Sequence, residues 1–448
     1  MWSEDHRASY RCTPRADESI SAGKPRAART IGRVAWPLVS RLLDLLAPPR
    51  MGRAFRWNLA SVWAANLGDG IALAAGPLLV ASQTREPTLI AAAAMVQQVP
   101  TLVFGLYAGA LADRVDRTRL VVWANLARAL VIVAMAVTIV TGHVSIGVVL
   151  GALFLGGVAE ILVDSGTRTV LPMIVTKADL GVGNARLMSG YLVANQMAGP
   201  PIGAFLFAAG MAWPFGVQAI AVVFAAWLFL RMELPRGGVR GAIETHIRRD
   251  IADGIRWMWA HPAIRTLALV ILIFNVTWGA PWSILVLYAQ DQLGMGSVGF
   301  GLLTTAVAVG GMAGTAAYGW LERRIPLATL MRGCLTMEVL THLAFALTSV
   351  EWVALVVMVI FGGYAFVWAS LSGAVRQRAT PVEYQGRVGS VYSLFLVGGL
   401  IVGQFLGGLI ASRWGVTAPF WFAFAGSGLT LLVVWRSVAQ IAHAGAAD

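Results

Sequence analysis

Charge is scarce in this chain. Asp, Glu, Lys and Arg make up 12% of its 448 residues, about half the share found in soluble domains, which excludes an ordinary water-soluble protein. Cysteine is nearly absent. Cys12 and Cys334 are too few for a disulfide framework or a thiolate metal site. The six histidines, His6, His143, His246, His261, His342 and His443, are scattered, and neither H-E-x-x-H nor C-x-x-C spacing occurs, so no metal and no cofactor is expected. The chain also lacks G-x-x-x-x-G-K-[ST], which excludes ATP hydrolysis through that loop. No cluster of His, Ser, Asp or Cys sits near one interface, as a membrane-embedded enzyme would require. The tails are too short to hold a sensor's signalling domain.

What is present is apolar: 58% of the residues are hydrophobic, gathered into runs of about 20 that suit a bilayer. Twelve such runs are expected, at about 59–81, 88–112, 119–141, 144–166, 187–209, 213–233, 264–289, 298–320, 328–349, 352–373, 388–411 and 416–437. The net charge of +12 is explained by orientation rather than by nucleic acid. Alternate connections carry Arg114, Arg117 and Arg119, then Arg168, Lys177 and Arg186, then Arg231 to Arg265, then Arg323, Arg324 and Arg332, then Arg376, Arg378 and Arg387. The intervening connections hold only Arg85 and Arg413. By the positive-inside rule both termini are cytoplasmic, and an inner (plasma) membrane location is expected.

This pattern divides the chain into a basic cytoplasmic tail (1–56), a six-helix half (57–233), a linker (234–263), a second six-helix half (264–437) and a short C-terminal tail (438–448). In the N-terminal tail, Ile31 to Leu46 fits a basic amphipathic helix on an anionic leaflet. In the linker, Ile247, Ile251, Ile255 and Met258 fall at helical spacing, so a surface helix over Glu244 to Ala260 is expected. The halves echo one another. Arg168 and a Pro-containing loop precede a helix with Gly199 and Gly203; Arg376 and a loop with Pro381 precede one with Gly403 and Gly407. Repeated halves around a central cavity are a transporter architecture. The fold class is an all-α membrane protein of twelve transmembrane helices in two pseudo-symmetric halves.

The most specific motif follows the second run: Gly109-Ala-Leu-Ala-Asp113-Arg114-Val-Asp116-Arg117-Thr-Arg119. It resembles the loop signature G-x-L-a-D-R-x-G-R-K of the major facilitator superfamily, with Asp116 in place of the glycine and Thr118 in place of a base. Together with Asn66-x-Gly68-Asp69-Gly70, Arg376-Gln-Arg-x-Thr-Pro381 and Gly386-Arg387-Val, it resembles the drug-exporter branch that includes macrolide efflux proteins, the enterobactin exporter and the transmembrane secretion effector group. The resemblance implies the facilitator fold and export, with Gly109, Asp113, Arg114 and Arg117 as a cytoplasmic latch. Gly199-Pro200-Pro201-Ile-Gly203 resembles the antiporter motif ending G-P-x-x-G-G, which is expected to seal the interior. Ala204 departs from it, and Met188 and Asn195 stand where earlier glycines belong. Ordinary small-residue helix packing also accounts for this element.

Charges inside the apolar runs are the candidates for coupling, because each costs about 2.5–3.5 kcal/mol to insert at a helix centre. Asp69 lies roughly 15 Å into the first helix, near the midplane. It is read either as a proton carrier that attracts cationic substrates or as a structural hinge bonded to Asn66 or to a facing helix. Glu160, Asp164 and Arg168 share one face of the fourth helix; Asp164 pairs with Arg168, and Glu160 either titrates or pairs permanently with Arg128. The fourth helix lacks the mid-helix arginine of many proton-coupled drug exporters. Glu338, in the ninth helix, is read as a structural partner or as snorkelling to an interface. Among aromatic residues, Trp63, Phe274, Trp278, Trp282, Tyr288, Tyr364, Phe366 and Trp368 fall on helices that line the cavity in the resembled family and suit a lipophilic substrate.

The expected function is secondary active export of small amphipathic or lipophilic molecules by proton antiport and alternating access. The alternatives are a facilitator or importer of a small metabolite, or a non-transporting sensor. The expected partners are a small-molecule substrate, protons and the lipid bilayer, with no nucleic acid, and a monomer is expected.

Overall fold

The computed structural model describes residues 48–234 and 247–442. Most of the expected N-terminal tail, the Ile31 to Leu46 helix and the end of the C-terminal tail lie outside them. Among the described residues the regular structure is helical. Eleven helices are long and apolar enough to cross a membrane, and a twelfth apolar helix has 17 residues. We number these spans α1 (Gly52–Gln83), α2 (Pro87–Arg114), α3 (Arg117–Val140), α4 (Ile146–Arg168), α5 (Lys177–Ala209), α6 (Trp213–Leu230), α7 (Pro262–Ser283), α8 (Ser297–Arg324), α9 (Leu327–Leu347), α10 (Glu351–Ala379), α11 (Gln385–Trp414) and α12 (Ala418–Val434). α1 starts at Gly52, a turn before the expected half boundary. Helix geometry persists beyond the apolar run because Arg53 and Arg56 can carry their charges toward water.

Local chemistry sets the helix ends. Proline occupies the first turn of α2, α6, α7 and α12, where a missing N–H costs nothing. Asp116 accepts a hydrogen bond from the Arg119 N–H at 2.9 Å and caps α3. The residue that departs from the loop signature thus supplies a helix start. In α5, Pro200 and Pro201 remove two N–H donors, and the preceding turns, Tyr191–Ala198, widen into a π-helix. A shifted hydrogen-bond register is the usual accommodation of such a break.

The packing repeats between halves. α1 packs on α5 and α6 as α7 packs on α11 and α12; α4 covers α2 and α3 as α10 covers α8 and α9. Two pairings join the halves, α2 with α11 and α5 with α8, and the repeat exchanges them. Gly301 of α8 lies against Pro200 and Ala204 of α5, and Gly408 of α11 lies against Thr88 and Ala91 of α2. Small residues also close the contacts within each half. Gly199 and Gly203 lie against the backbone of Gly70 and Ile71 in α1, and Gly403 and Gly407 lie against Val276 and Ala280 in α7. A side chain at any of the four would enter a neighbouring backbone.

The largest apolar core gathers both halves at the Arg-poor end. Leu78, Leu79 and Ile90 meet Ile284, Tyr288, Phe300 and Phe420 there. Toward the Arg-rich end the cores separate: Val121, Val170 and Phe229 belong to the first half, Leu267, Met331, Leu371 and Val391 to the second. The linker helix (Ile247–Ala260) does not simply lie on the membrane surface. It buries Met258 in the second of these cores, sets Gly254 against the Arg387 carbonyl and stacks Trp257 on Tyr384. Its Ile255 and Trp259 remain exposed. A further short helix, Ser437–Ala442, falls in the segment expected as tail and buries Val438 and Ile441, because those two apolar residues find the same core.

Replacing Gly203 or Gly403 with valine is expected to lower stability by about 1–3 kcal/mol through overpacking, read as a lower thermal midpoint of the detergent-solubilised protein. Glycine to valine at Gly147, which faces open space, should leave that midpoint in place.

Candidate functional site

A charge cluster occupies the interior of the first half. Arg128 of α3 pairs through Nη2 with Asp69 Oδ1 of α1 at 2.6 Å and with Glu160 Oε2 of α4 at 3.2 Å. Exposure rises across the cluster, from 7% for the Arg128 side chain to 20% for Asp69 and 48% for Glu160. One guanidinium thus serves two carboxylates, and the three groups come from three helices. With every group ionised the trio carries one negative charge, and one added proton or one bound cation neutralises it. The Asp69 partner is Arg128 and not Asn66, whose amide donates to its own helix at the Val62 carbonyl, 2.8 Å away. That intrahelical bond satisfies the amide without calling on a carboxylate.

Asp164 and Arg168 form the expected pair one turn apart, at 3.6 Å with both side chains mostly exposed. Tyr191 of α5, 42% exposed, stands within electrostatic reach of Asp164 and Glu160. The π-helical turn of α5 places it there, and periodicity at 3.6 residues gives no hint of such a turn. The surroundings of Gly109 and the side chains of Asp113 and Arg114 lie outside what is described. Arg117 donates through Nη1 to Met173 Sδ at 3.1 Å.

Several expected cavity aromatics prove to be packing residues. Phe274 is buried in the second half's own core, and Tyr288 is fully buried, its hydroxyl donating to the Phe345 carbonyl at 2.7 Å. A helix that lines a cavity offers it only one face, and hydropathy does not say which. Trp63 donates Nε1 to the Arg186 carbonyl at 3.4 Å and covers Gly190, tying α1 to α5. Trp368 packs against the second half's core. Trp278 stacks on Phe361, centroids 3.9 Å apart, with Trp282 at 5.1 Å. Glu338 does not snorkel: it is buried, with His342 and Tyr364 as partners.

At the Arg-poor end, Arg85 in the turn between α1 and α2 pairs with Asp291 and donates to Gln290, both just beyond α7. This polar link spans the two halves directly above the shared apolar core. Its signal in the sequence is faint, a lone arginine in a connection that otherwise lacks one.

Two six-helix halves joined by symmetry-exchanged helix pairs around an interior charge cluster define a transporter of the major facilitator type, not an enzyme. Residues 45–445 match the family model described as transmembrane secretion effector, and the chain belongs to that family. Among curated relatives, it is 26% identical over 370 residues to the multidrug efflux pump Tap of Mycolicibacterium fortuitum, covering 80% of this chain and 88% of that protein. It is 22% identical over 404 residues to macrolide efflux protein A of Streptococcus pyogenes, covering 84% and 95%. A bacterial homologue of the iron transporter ferroportin shares the fold. Its inward-facing structure superposes with a TM-score of 0.71 at 19% identity, covering 87% of this chain and 99% of that one. Its outward-facing structure gives 0.57 at 21% identity, covering 87% and 100%.

Removing Arg128 strands two carboxylates in the bundle. Arg128→Met is expected to cost about 3 kcal/mol or more, and Arg128→Met combined with Asp69→Asn should recover part of the loss. Thermal unfolding of the three proteins in detergent measures both.

Proposed function

We propose that this chain exports small amphipathic or lipophilic molecules, preferentially cationic ones, in exchange for protons. The observation that carries the reading is the Asp69–Arg128–Glu160 cluster. Its net charge of one unit can be cancelled by a proton or by an organic cation, but taking up both leaves a buried excess of positive charge. Competition of this kind is what antiport requires, since the site carries one ligand in each direction. Glu160, the most exposed member, meets the ligand; Asp69, the more buried carboxylate, remains with Arg128. The names of the relatives, a multidrug efflux pump and a macrolide efflux protein, support export of lipophilic compounds. One proton crossing 100 mV provides about 2.3 kcal/mol toward export of a neutral solute; exchange of one proton for one monovalent cation moves no net charge and is driven by the pH difference.

The arrangement of cores supports an inward-facing state in which the Arg-rich end is cytoplasmic. The halves share one core and the Arg85–Asp291 link at the Arg-poor end, and keep separate cores at the other. The better superposition on the inward-facing relative agrees. Alternating access then breaks the shared core at α2–α11 and α5–α8. Asp113, Arg114 and Arg117 latch the opposite end in the outward-facing state.

In proteoliposomes with an imposed pH gradient, wild type should accumulate tetraphenylphosphonium or a macrolide, and Asp69→Asn should lose at least tenfold of that uptake. Undiminished pH-driven uptake by the variant overturns its coupling role. The exposed Arg85–Asp291 pair is worth up to about 1 kcal/mol, so Arg85→Ala should shift the inward-to-outward ratio by up to roughly fivefold toward outward. Spin-label distances across the Arg-poor end read that shift.

A further inference from the structure

The second half contains a buried acid and base that the transport reading does not use. Glu338 and His342 lie one turn apart on α9, with His342 Nε2 3.1 Å from Glu338 Oε1. Tyr364 of α10 donates its hydroxyl to Glu338 Oε2 at 2.8 Å and stands 3.2 Å from Thr341 Oγ1. His342 is 0% exposed and Glu338 is 8% exposed. His342 Nδ1 is buried without a hydrogen-bond partner. No arginine or lysine approaches the pair among the described residues, and His342 is the ion-pair partner of Glu338 there.

The surroundings on each element explain why. α12 carries no charged residue between Ala418 and Val434. On α7 the charge is Arg265, held in the first turns by the Trp259 carbonyl. On α10, Glu351 lies at one end and Arg376 and Arg378 at the other; on α8, Glu322, Arg323 and Arg324 close the helix. On α9 itself, Arg332 bonds the Trp435 carbonyl, roughly 9 Å along the axis from Glu338, and Cys334 is the buried thiol one turn away. Tyr364 is the titratable group that α10 presents.

We propose that Glu338 and His342 together form a proton-binding site in the second half, distinct from the Asp69–Arg128–Glu160 cluster. Without the proton the pair is a carboxylate beside a neutral imidazole, one uncompensated negative charge in an apolar bundle. With it the pair is a carboxylate beside an imidazolium, or a carboxylic acid beside an imidazole, and is neutral overall. Burial without another cation therefore makes one proton the ligand that the site holds, and the proton belongs to the pair rather than to either residue. Tyr364, half-buried, reaches Glu338 from α10 through its hydroxyl.

Proton occupancy also reaches the helix contacts. The Trp278 ring centroid lies 5.9 Å from that of His342 and 3.9 Å from that of Phe361, and Trp278 packs on the core shared by both halves. An imidazolium at that distance is attracted by the indole face, whereas a bare negative charge beside it is not. Proton occupancy thus bears on the Trp278–His342 contact between α7 and α9. This site stands whether or not Asp69 carries protons during transport.

Infrared difference titration of the purified full chain in nanodiscs tests the site without any transport step. In wild type a carboxyl C=O band, or the paired carboxylate and imidazole bands, should change with pH; Glu338→Gln should abolish that change, and Asp69→Asn should retain it. Tyr364→Phe, which removes a hydrogen bond to the carboxyl while keeping the ring, should move that band to higher wavenumber, and His342→Gln should shift its titration midpoint. Direct titration should show one proton fewer per chain for Glu338→Gln. Variants that match wild type in band, midpoint and proton count overturn the proposal, as does a band assigned solely to Asp69 or Glu160.

Discussion

Arg128 is the interaction on which the interior of the first half depends. A buried guanidinium in an apolar bundle must be matched, and it is matched twice, by Asp69 from α1 and Glu160 from α4. Its attachment to α3 therefore ties three helices at one level of the membrane. Two carboxylates on one cation leave the cluster short of neutrality by a single charge. On the proposed reading, that shortage makes the structural tie a ligand site, neutral with a proton or with an organic cation.

Charge placement is only useful if the helices around it can move as blocks. The small residues supply that. Gly199 and Gly203 let α5 lie on the backbone of α1, and Gly403 and Gly407 do the same for α11 on α7, so each half is locked within itself. Contact between halves rests chiefly on two symmetry-exchanged pairings, one shared core and the Arg85–Asp291 link. The π-helical turn before Pro200 sits on one of those pairings and carries Tyr191 toward Glu160 and Asp164. The packing motif and a tyrosine facing the charge cluster thus adjoin along α5.

The second half presents a contrasting solution. Where the first half matches Asp69 and Glu160 with an arginine, the second sets Glu338 beside a histidine. The two halves are similar in packing and different in what they hold, a division of labour that pseudo-symmetry permits because interior side chains are not constrained by the repeat.

The twelve spans, their grouping into halves and the family were legible in the sequence because bilayer insertion is governed by run length and charge scarcity, both local quantities. The expensive interior charges Asp69, Arg128, Glu160 and Glu338 were legible for the same reason: their cost marks them. Which partner each would take was not, since Asp69 could face Asn66 or another helix, and Glu338 could be solvated or paired. Nor was the fate of Phe274 and Tyr288, buried as core, or of Arg85, joined to Asp291 across the halves. Those outcomes depend on helix rotation and on contacts between residues up to 206 positions apart, which no window of sequence contains. The sequence by itself determined what had to be buried; tertiary packing decided what it was buried against, because a charge in an apolar bundle takes the partner that geometry brings within reach.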